Sequence, residues 1–251
     1  MLNIIPLAAL NDNYIWLIEN GQQAVCIDPG DAVPVIDYLC AHNLTLVQIW
    51  ITHAHADHTA GVLQLKQAFP RCRVFGNSDI AQVDEIVGEG ATIKFSDGLA
   101  EVWAIPGHTA THLGYLWRPN DGSLHVFCGD TLFSAGCGRV FTGTMTQLFT
   151  SLQRFNQLPN NTFFYPAHEY TATNLNFAAH IEPENKDVEA AAANAFNTPT
   201  LPVTLAHERR INPFLRTSYM LVINRTEELC GKQLKSEEAV FTTLRELKNQ
   251  F

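Results

Sequence analysis

The densest chemistry in the chain is the run Thr52-His53-Ala54-His55-Ala56-Asp57-His58, which packs three imidazoles and one carboxylate into a single turn of sequence. An apolar strand pattern, LTLVQIWI (44–51), leads into it, and a helical pattern, TAGVLQLKQAF (59–69), follows. In extended backbone alternate side chains share a face, so His53 and His55 point the same way and can chelate one metal. Asp57 and His58 fall where the chain turns into the helix and can face a second point. Imidazole with carboxylate suits zinc, manganese or iron. The plainer alternative is a polar helix start with Asp57 as its cap.

Three further segments repeat one arrangement, a strand that ends in a turn carrying His or Asp. Pro106-Gly107-His108-Thr109 follows LAEVWAI, Cys128-Gly129-Asp130-Thr131 follows SLHVF, and Pro166-Ala167-His168-Glu169 follows TFFY. Singly, such residues are usually surface or capping groups. Four strand ends presenting five His and two Asp describe one edge of a sheet-based site. That is enough for two metals with one bridging carboxylate.

The elements that must position these residues alternate in the first two thirds. YIWLIEN (14–20) and QAVCID (23–28) read as a hairpin about Gly21, and PVIDYLCAHN (34–43) carries helical spacing. CRVFG (72–76), TIKF (92–95) and HLGYLW (112–117) are further strands, and TMTQLFTSLQRFNQL (144–158) is a helix capped by Thr144. After His168 strand patterns stop. TATNLNFAAHI (171–181), NKDVEAAAANAFN (185–197) and SEEAVFTTLRELKNQ (236–250) read as helices, the last capped by Ser236. The division implied is a mixed α/β domain over residues 1–165 and a smaller helical domain over 166–251.

Composition excludes several classes. The 251 residues are 46% hydrophobic and 16% charged, enough for a core and unlike a disordered chain. A formal charge of −9 argues against nucleic-acid binding, and no apolar run is long enough to span a membrane. The N-terminal stretch lacks the basic and apolar regions of a signal peptide, and the six cysteines are scattered, so a cytoplasmic protein with free thiols is expected. His42, His125, His180 and His207 read as ordinary polar residues. His112 lies four residues beyond His108 and could back a metal ligand, but its spacing alone does not assign it that role. Cys137 has no base in view that would make it a nucleophile.

HxHxDH, then GHT, then GD, then a PAHE-type His, in this order, resembles the metallo-β-lactamase superfamily. Within it the chain most closely resembles the glyoxalase II (hydroxyacylglutathione hydrolase) family, through NDNY (11–14), GDTLFSAGCGRVFTGT (129–144), HEYTATNLNFAAHIEPEN (168–185) and NPFLR (212–216). The resemblance implies an αββα sandwich followed by the smaller C-terminal helical domain. It implies that His53, His55 and His108 hold one metal, that Asp57, His58 and His168 hold the other, and that Asp130 bridges them. Ala54 stands where the family often has another His, a position that is not a ligand.

The resemblance also implies a reaction: hydrolysis of S-D-lactoylglutathione to D-lactate and glutathione, the second step of methylglyoxal detoxification. Two divalent metals, zinc foremost with iron or manganese as alternatives, would lower the pKa of a shared water so that it attacks the thioester as hydroxide. Asp57 and Asp130 would be the catalytic carboxylates. Arg139, Phe141, Tyr170 and Arg216 occupy positions that contact glutathione in the family. Phe141 lacks a hydroxyl that some relatives supply, and Tyr219 stands where some have a lysine, which implies weaker glutathione binding. Glutathione persulfide dioxygenases share the fold and use a single iron, but lack the full helical domain. No heptad or obvious interface is visible, so a monomer is expected.

Overall fold

The computed structural model describes residues 2–96 and 98–251. The chain forms two compact units. The first comprises residues 1–105, 111–129 and 165–168, and the second 106–110, 130–164 and 169–251. A single cut at 165/166 is therefore too simple. The segments 106–110 and 130–164 cluster with the C-terminal helices, because their loops and helix pack with residues far along the chain rather than with their sequence neighbours.

In the first unit, β1 (Leu2–Ala9), β2 (Asn13–Asn20), β3 (Gln23–Ile27), β4 (Thr45–Trp50), β5 (Arg73–Gly76) and β6 (Glu85–Ile86) form a six-stranded sheet in sequence order. β1 to β3 are antiparallel and β3 to β6 parallel. Parallel neighbours need a crossover, and α1 (Val33–Ala41) supplies it between β3 and β4. Between β4 and β5 the expected single helix is two, α2 (Ala56–Thr59) and α3 (Val62–Ala68). Gly61 breaks it: a Cβ there would lie 2.6 Å from the Ala32 nitrogen, so the turn presses on the start of α1.

A second sheet begins with the antiparallel strands β7 (Thr92–Phe95), β8 (Gly98–Ala104), β9 (Leu113–Arg118) and β10 (His125–Gly129). The first sheet buries both faces, which is why its strands read as nearly continuous apolar runs. Ile15, Leu17, Cys26, Ile49 and Val74 pack with Val35, Leu39, Val62 and Leu65 of the helices. From the other face Trp50 stacks on Tyr115, with ring centroids 5.4 Å apart, and meets Phe127 edge-on. The Tyr115 hydroxyl donates to the Ile51 carbonyl at 2.7 Å, which pins the two sheets together without leaving a buried hydroxyl unpaired.

The second unit holds a short hairpin, β11 (Leu132–Phe133) and β12 (Gly136–Cys137), then α4 (Met145–Phe155). Thr144 and Gln147 close a capping box at the start of α4. β13 (Phe163–Pro166) pairs through Phe163 and Phe164 with β14 (Val203–Thr204). The helices are α5 (Thr171–Ile181), α6 (Lys186–Asn194), α7 (Leu205–Ile211), α8 (Met220–Cys230) and α9 (Glu237–Gln250). Ser236 caps α9 as its position suggests, and Asn185 caps α6. Phe177, Phe214 and Phe241 form the aromatic core of this unit. Among the described residues no helix is long and apolar enough to cross a membrane, and the six cysteines are free thiols.

Candidate metal centre

In the first unit His53 and His55 follow the end of β4, Asp57 and His58 stand in α2, and His168 follows the end of β13. After β4, Thr52 is fixed by Asp28 at the end of β3: the Thr52 nitrogen and hydroxyl both donate to the Asp28 carboxylate at 2.7 Å. His53 Nδ1 then meets the Thr52 hydroxyl at 3.0 Å, so its Nε2 is the nitrogen presented outward. That Nε2 lies 3.0 Å from His55 Nδ1, the convergence that alternation predicts. His58 is held from behind, with Nδ1 3.1 Å from Asp28, and its Nε2 lies 3.4 Å from Asp57 Oδ2. His168, beyond β13, places its Nε2 3.4 Å from the same oxygen. Asp57, His58 and His168 thus form one group of converging donors.

NDNY acquires a physical meaning here. His168 Nδ1 donates to Asp12 at 2.7 Å, and Asn13 Nδ2 donates to Asp57 Oδ2 at 3.2 Å. The backbone locks the same corner, with the Tyr14 nitrogen 2.7 Å from the Ala167 carbonyl. His168 and His58, foremost, and Asn13 hold the Asp57 carboxyl far below the usual carboxylate range, so it stays ionised. His112 is buried and stacks on His53 at 4.6 Å, bracing that ring.

The second unit carries the other two expected ligands. His108 Nε2 lies 3.5 Å from Asp130 Oδ2, and His108 Nδ1 donates to the Arg139 carbonyl at 2.8 Å. Gly138 lets this close: a Cβ there would lie 2.0 Å from the Asp130 carbonyl oxygen.

These spacings fit a metal. Ligand atoms about 2.1 Å from a four-coordinate ion lie roughly 3.4 Å from one another. The donor pairs above are 3.0 to 3.5 Å apart. His53, His58, His108 and His168 each hold the second ring nitrogen against an orienting oxygen, the usual backing of an imidazole ligand. The His/Asp set therefore suits divalent metal.

Around His108 the second unit offers cations and an aromatic face. Arg139 is exposed, and Phe141, 62% exposed, sets its ring 5.1 Å from that of His108. Lys248 of α9 reaches the same neighbourhood. Burial, then the adjacent Arg245 and Arg139, lower its ammonium pKa to about 8. Tyr170 packs edge-on against Phe133 at 5.0 Å. Lys248 went unnoticed in the sequence because a Lys near a helix end is ordinarily a solvated one; only burial beside other cations distinguishes it.

Arg216 does something other than expected. Its guanidinium forks onto Glu182 with two contacts of 2.8 Å, donates to the Arg209 carbonyl and lies over the Tyr219 ring. Both partners of the ion pair are largely buried. A guanidinium committed in this way holds the helices together and does not await a substrate. Arg216→Ala is expected to leave Glu182 buried without its counter-charge, at about 3 kcal/mol. Thermal melting checks this, and an unchanged Tm with a raised KM would return Arg216 to substrate binding.

Glu208 of α7 is a further buried acid. Burial pushes its carboxyl up to about 7, against the pull of Asn212, the Ala135 nitrogen and Ser134. These three facing groups are neutral; His207 and Arg209 flank it on its own helix. Between about pH 4.5 and 7 the folded chain keeps a proton that the unfolded chain gives up, so stability falls as pH rises through that window. Glu208→Gln removes this component. Its Tm is expected to gain on the parent between pH 5 and 8, by the equivalent of about 2 kcal/mol. Parallel melting curves across that range would refute the assignment.

Comparison with known proteins places this geometry. Residues 169–251 match the family model described as hydroxyacylglutathione hydrolase C-terminus, and residues 10–74 match that of the metallo-beta-lactamase superfamily. A curated hydroxyacylglutathione hydrolase of Neisseria meningitidis is 56% identical over 100% of both chains. The chain belongs to the hydroxyacylglutathione hydrolase family. The Vibrio cholerae member is 45% identical, again over 100% of both chains. Among solved structures, ETHE1 from Myxococcus xanthus matches with a TM-score of 0.65 and 26% identity, covering 99% of this chain and 98% of that one. The fold is that of the metallo-β-lactamases, with the helical C-terminal region of the hydroxyacylglutathione hydrolases.

Proposed function

We propose that this protein is a metal-dependent thioesterase that hydrolyses S-D-lactoylglutathione and related S-2-hydroxyacylglutathiones to the hydroxy acid and glutathione. The observation that carries this reading is the 56% identity to a curated hydroxyacylglutathione hydrolase along the whole of both chains. The C-terminal match at residues 169–251 favours it over a persulfide dioxygenase.

In this reading His53, His55 and His108 would hold one ion, Asp57, His58 and His168 would hold a second, and Asp130 would be shared between them. Zinc is the proposed metal. When bound, such ions lower the pKa of water and polarise a carbonyl oxygen. The chain's own residues do the rest. Arg139 and Lys248 supply the local positive charge that holds the carboxylates of an anionic substrate on a protein of net charge −9. Phe141 gives its glutathione part an apolar face. Asp57, kept ionised by His168 and His58, accepts a hydrogen bond from the attacking water and orients it. The departing thiolate has a conjugate-acid pKa of roughly 8.5, so no strong general acid is needed. A cytoplasmic, monomeric protein completes the proposal.

The test is loss of thioester absorbance on adding purified protein to S-D-lactoylglutathione, beside a chelator-stripped sample. Rapid hydrolysis that the chelator abolishes and divalent metal restores is expected. A fully metal-loaded protein without activity would reject the reading, and oxygen consumption with glutathione persulfide would then be measured. Lys248→Ala is expected to raise KM about tenfold with little change in kcat, since the ammonium acts on the bound carboxylate in ground and transition state alike.

A further inference from the structure

A hairpin of two-residue strands cannot hold itself together, yet Leu132–Cys137 is buried throughout. Its backbone groups must therefore find partners, and the helices of its own unit supply them. Asn212, just beyond α7, donates through Nδ2 to the Phe133 and Gly136 carbonyls at 3.1 and 3.0 Å. Asn174 of α5 donates to the Ser134 carbonyl at 2.8 Å. Arg245 of α9 donates to the Cys137 carbonyl at 2.8 Å. The tip remains, and Glu208 takes it. Its Oε1 accepts from the Ser134 hydroxyl and its Oε2 from the Ala135 nitrogen, both at 2.9 Å.

We propose that Glu208 is a positioning residue of the active site: it anchors the Ser134–Ala135 tip and thereby fixes Asp130 and Arg139 at the two ends of the hairpin. The proposal rests on the reading above for the roles of Asp130 and Arg139. Three observations carry it. Ala135 adopts a left-handed conformation, φ +54°, which a non-glycine residue keeps only when its surroundings hold it. The hairpin ends are in register with each other, since Gly138 lies against the Asp130 carbonyl and the Gly138 nitrogen donates to the Thr131 carbonyl at 3.2 Å. Finally, a wholly buried carboxyl group whose three partners are neutral is a costly way to fill a core. What it offers is an acceptor at each of two oxygens, and the tip presents two donors.

An amide can imitate this. In Glu208→Gln the oxygen can serve the Ala135 nitrogen and Asn212, while the amine donates to the Ser134 hydroxyl, which is able to accept. Glu208→Ala removes both anchors.

The experiment compares full-length parent, Glu208→Gln and Glu208→Ala at 25 °C. It reads Tm, kcat and KM for S-D-lactoylglutathione, and retention of zinc against a chromophoric chelator. Glu208→Gln is expected within about threefold of the parent in kcat, KM and zinc retention, with its Tm differing only by the pH-dependent gain given above. Glu208→Ala, assayed well below its Tm, is expected to hold zinc about tenfold more weakly, with kcat lowered and KM raised several-fold. Folded Glu208→Ala with parental zinc retention, kcat and KM would overturn the proposal. Should Glu208→Ala fail to fold, Ser134→Ala decides. It deletes one anchor and is expected to weaken zinc retention by about threefold, and an unchanged value overturns the proposal equally. Inactivity of the zinc-loaded parent would instead reject the thioesterase reading, and the zinc comparison would still judge Glu208.

Discussion

Asp130→Ala is expected to lose about three orders of magnitude in turnover together with bound metal, while the chain keeps its fold. The side chain sits at the first residue past β10, nearly buried, with Oδ2 facing His108 Nε2 at 3.5 Å. As the proposed bridge it would be a ligand to both ions, so its removal would weaken both sites at once. No other carboxylate in this hairpin could replace it, since Thr131-Leu132-Phe133-Ser134-Ala135-Gly136-Cys137-Gly138 carries none. The fold should persist because the hairpin is held elsewhere, by Asn174, Asn212, Glu208 and Arg245. Metal per chain by elemental analysis and kcat on the same preparation check this. Full occupancy with parental turnover would remove Asp130 from the centre. Lost turnover at full occupancy would leave it a catalytic carboxylate but not a bridge.

How far the sequence reveals this site depends on the range of the interactions involved. His53, His55, Asp57 and His58 are legible because local periodicity alone orients them: a strand ends, two imidazoles share a face, and a helix begins. Caps are local too, and Thr144, Asn185 and Ser236 fall where their side chains can serve the next turn. The backing of the ligands is not local. Asp28 reaches Thr52 and His58 because parallel pairing sets β3 beside β4, and Asp12 reaches His168 across most of the chain. Arg216 shows the converse. The family resemblance implies a substrate contact there, but Glu182, thirty-four positions away, claims the guanidinium. β1 escapes notice because Pro6 interrupts its pattern. As an edge strand it tolerates the missing N–H, pairing Pro6 with Trp16. Helical spacing marks the region after His168 as helical, but the polar hairpin clamp emerges only from contacts between α5, α7, α9 and a loop far upstream.

The tightest constraint on the metal-binding loop comes from a residue without a side chain. In Asp28-Pro29-Gly30-Asp31, a Cβ built on Gly30 would lie 1.9 Å from the Asp57 carbonyl oxygen and 2.5 Å from its carbon. Both are backbone atoms, so no rotamer change relieves the clash. Either the turn after β3 or the loop after β4 must move. Each choice damages the centre. Asp28 holds Thr52 and His58, so shifting its turn releases the support of two imidazoles. Shifting Asp57 breaks its contacts with His58, His168 and Asn13. Gly30→Ala is therefore expected to cost about 3 kcal/mol or more in stability and to weaken metal retention at least tenfold, although it adds only one methyl group. Gly88→Ala is the matched control, because a Cβ there meets nothing within 4 Å. Its Tm and metal content are expected to equal the parent's. Melting and chelator competition on the two variants together separate a close approach of backbone to backbone from the general cost of replacing a glycine. A Gly30→Ala protein with parental Tm and metal affinity would show that the β3 turn and the Asp57 loop have room to part without disturbing the ligands.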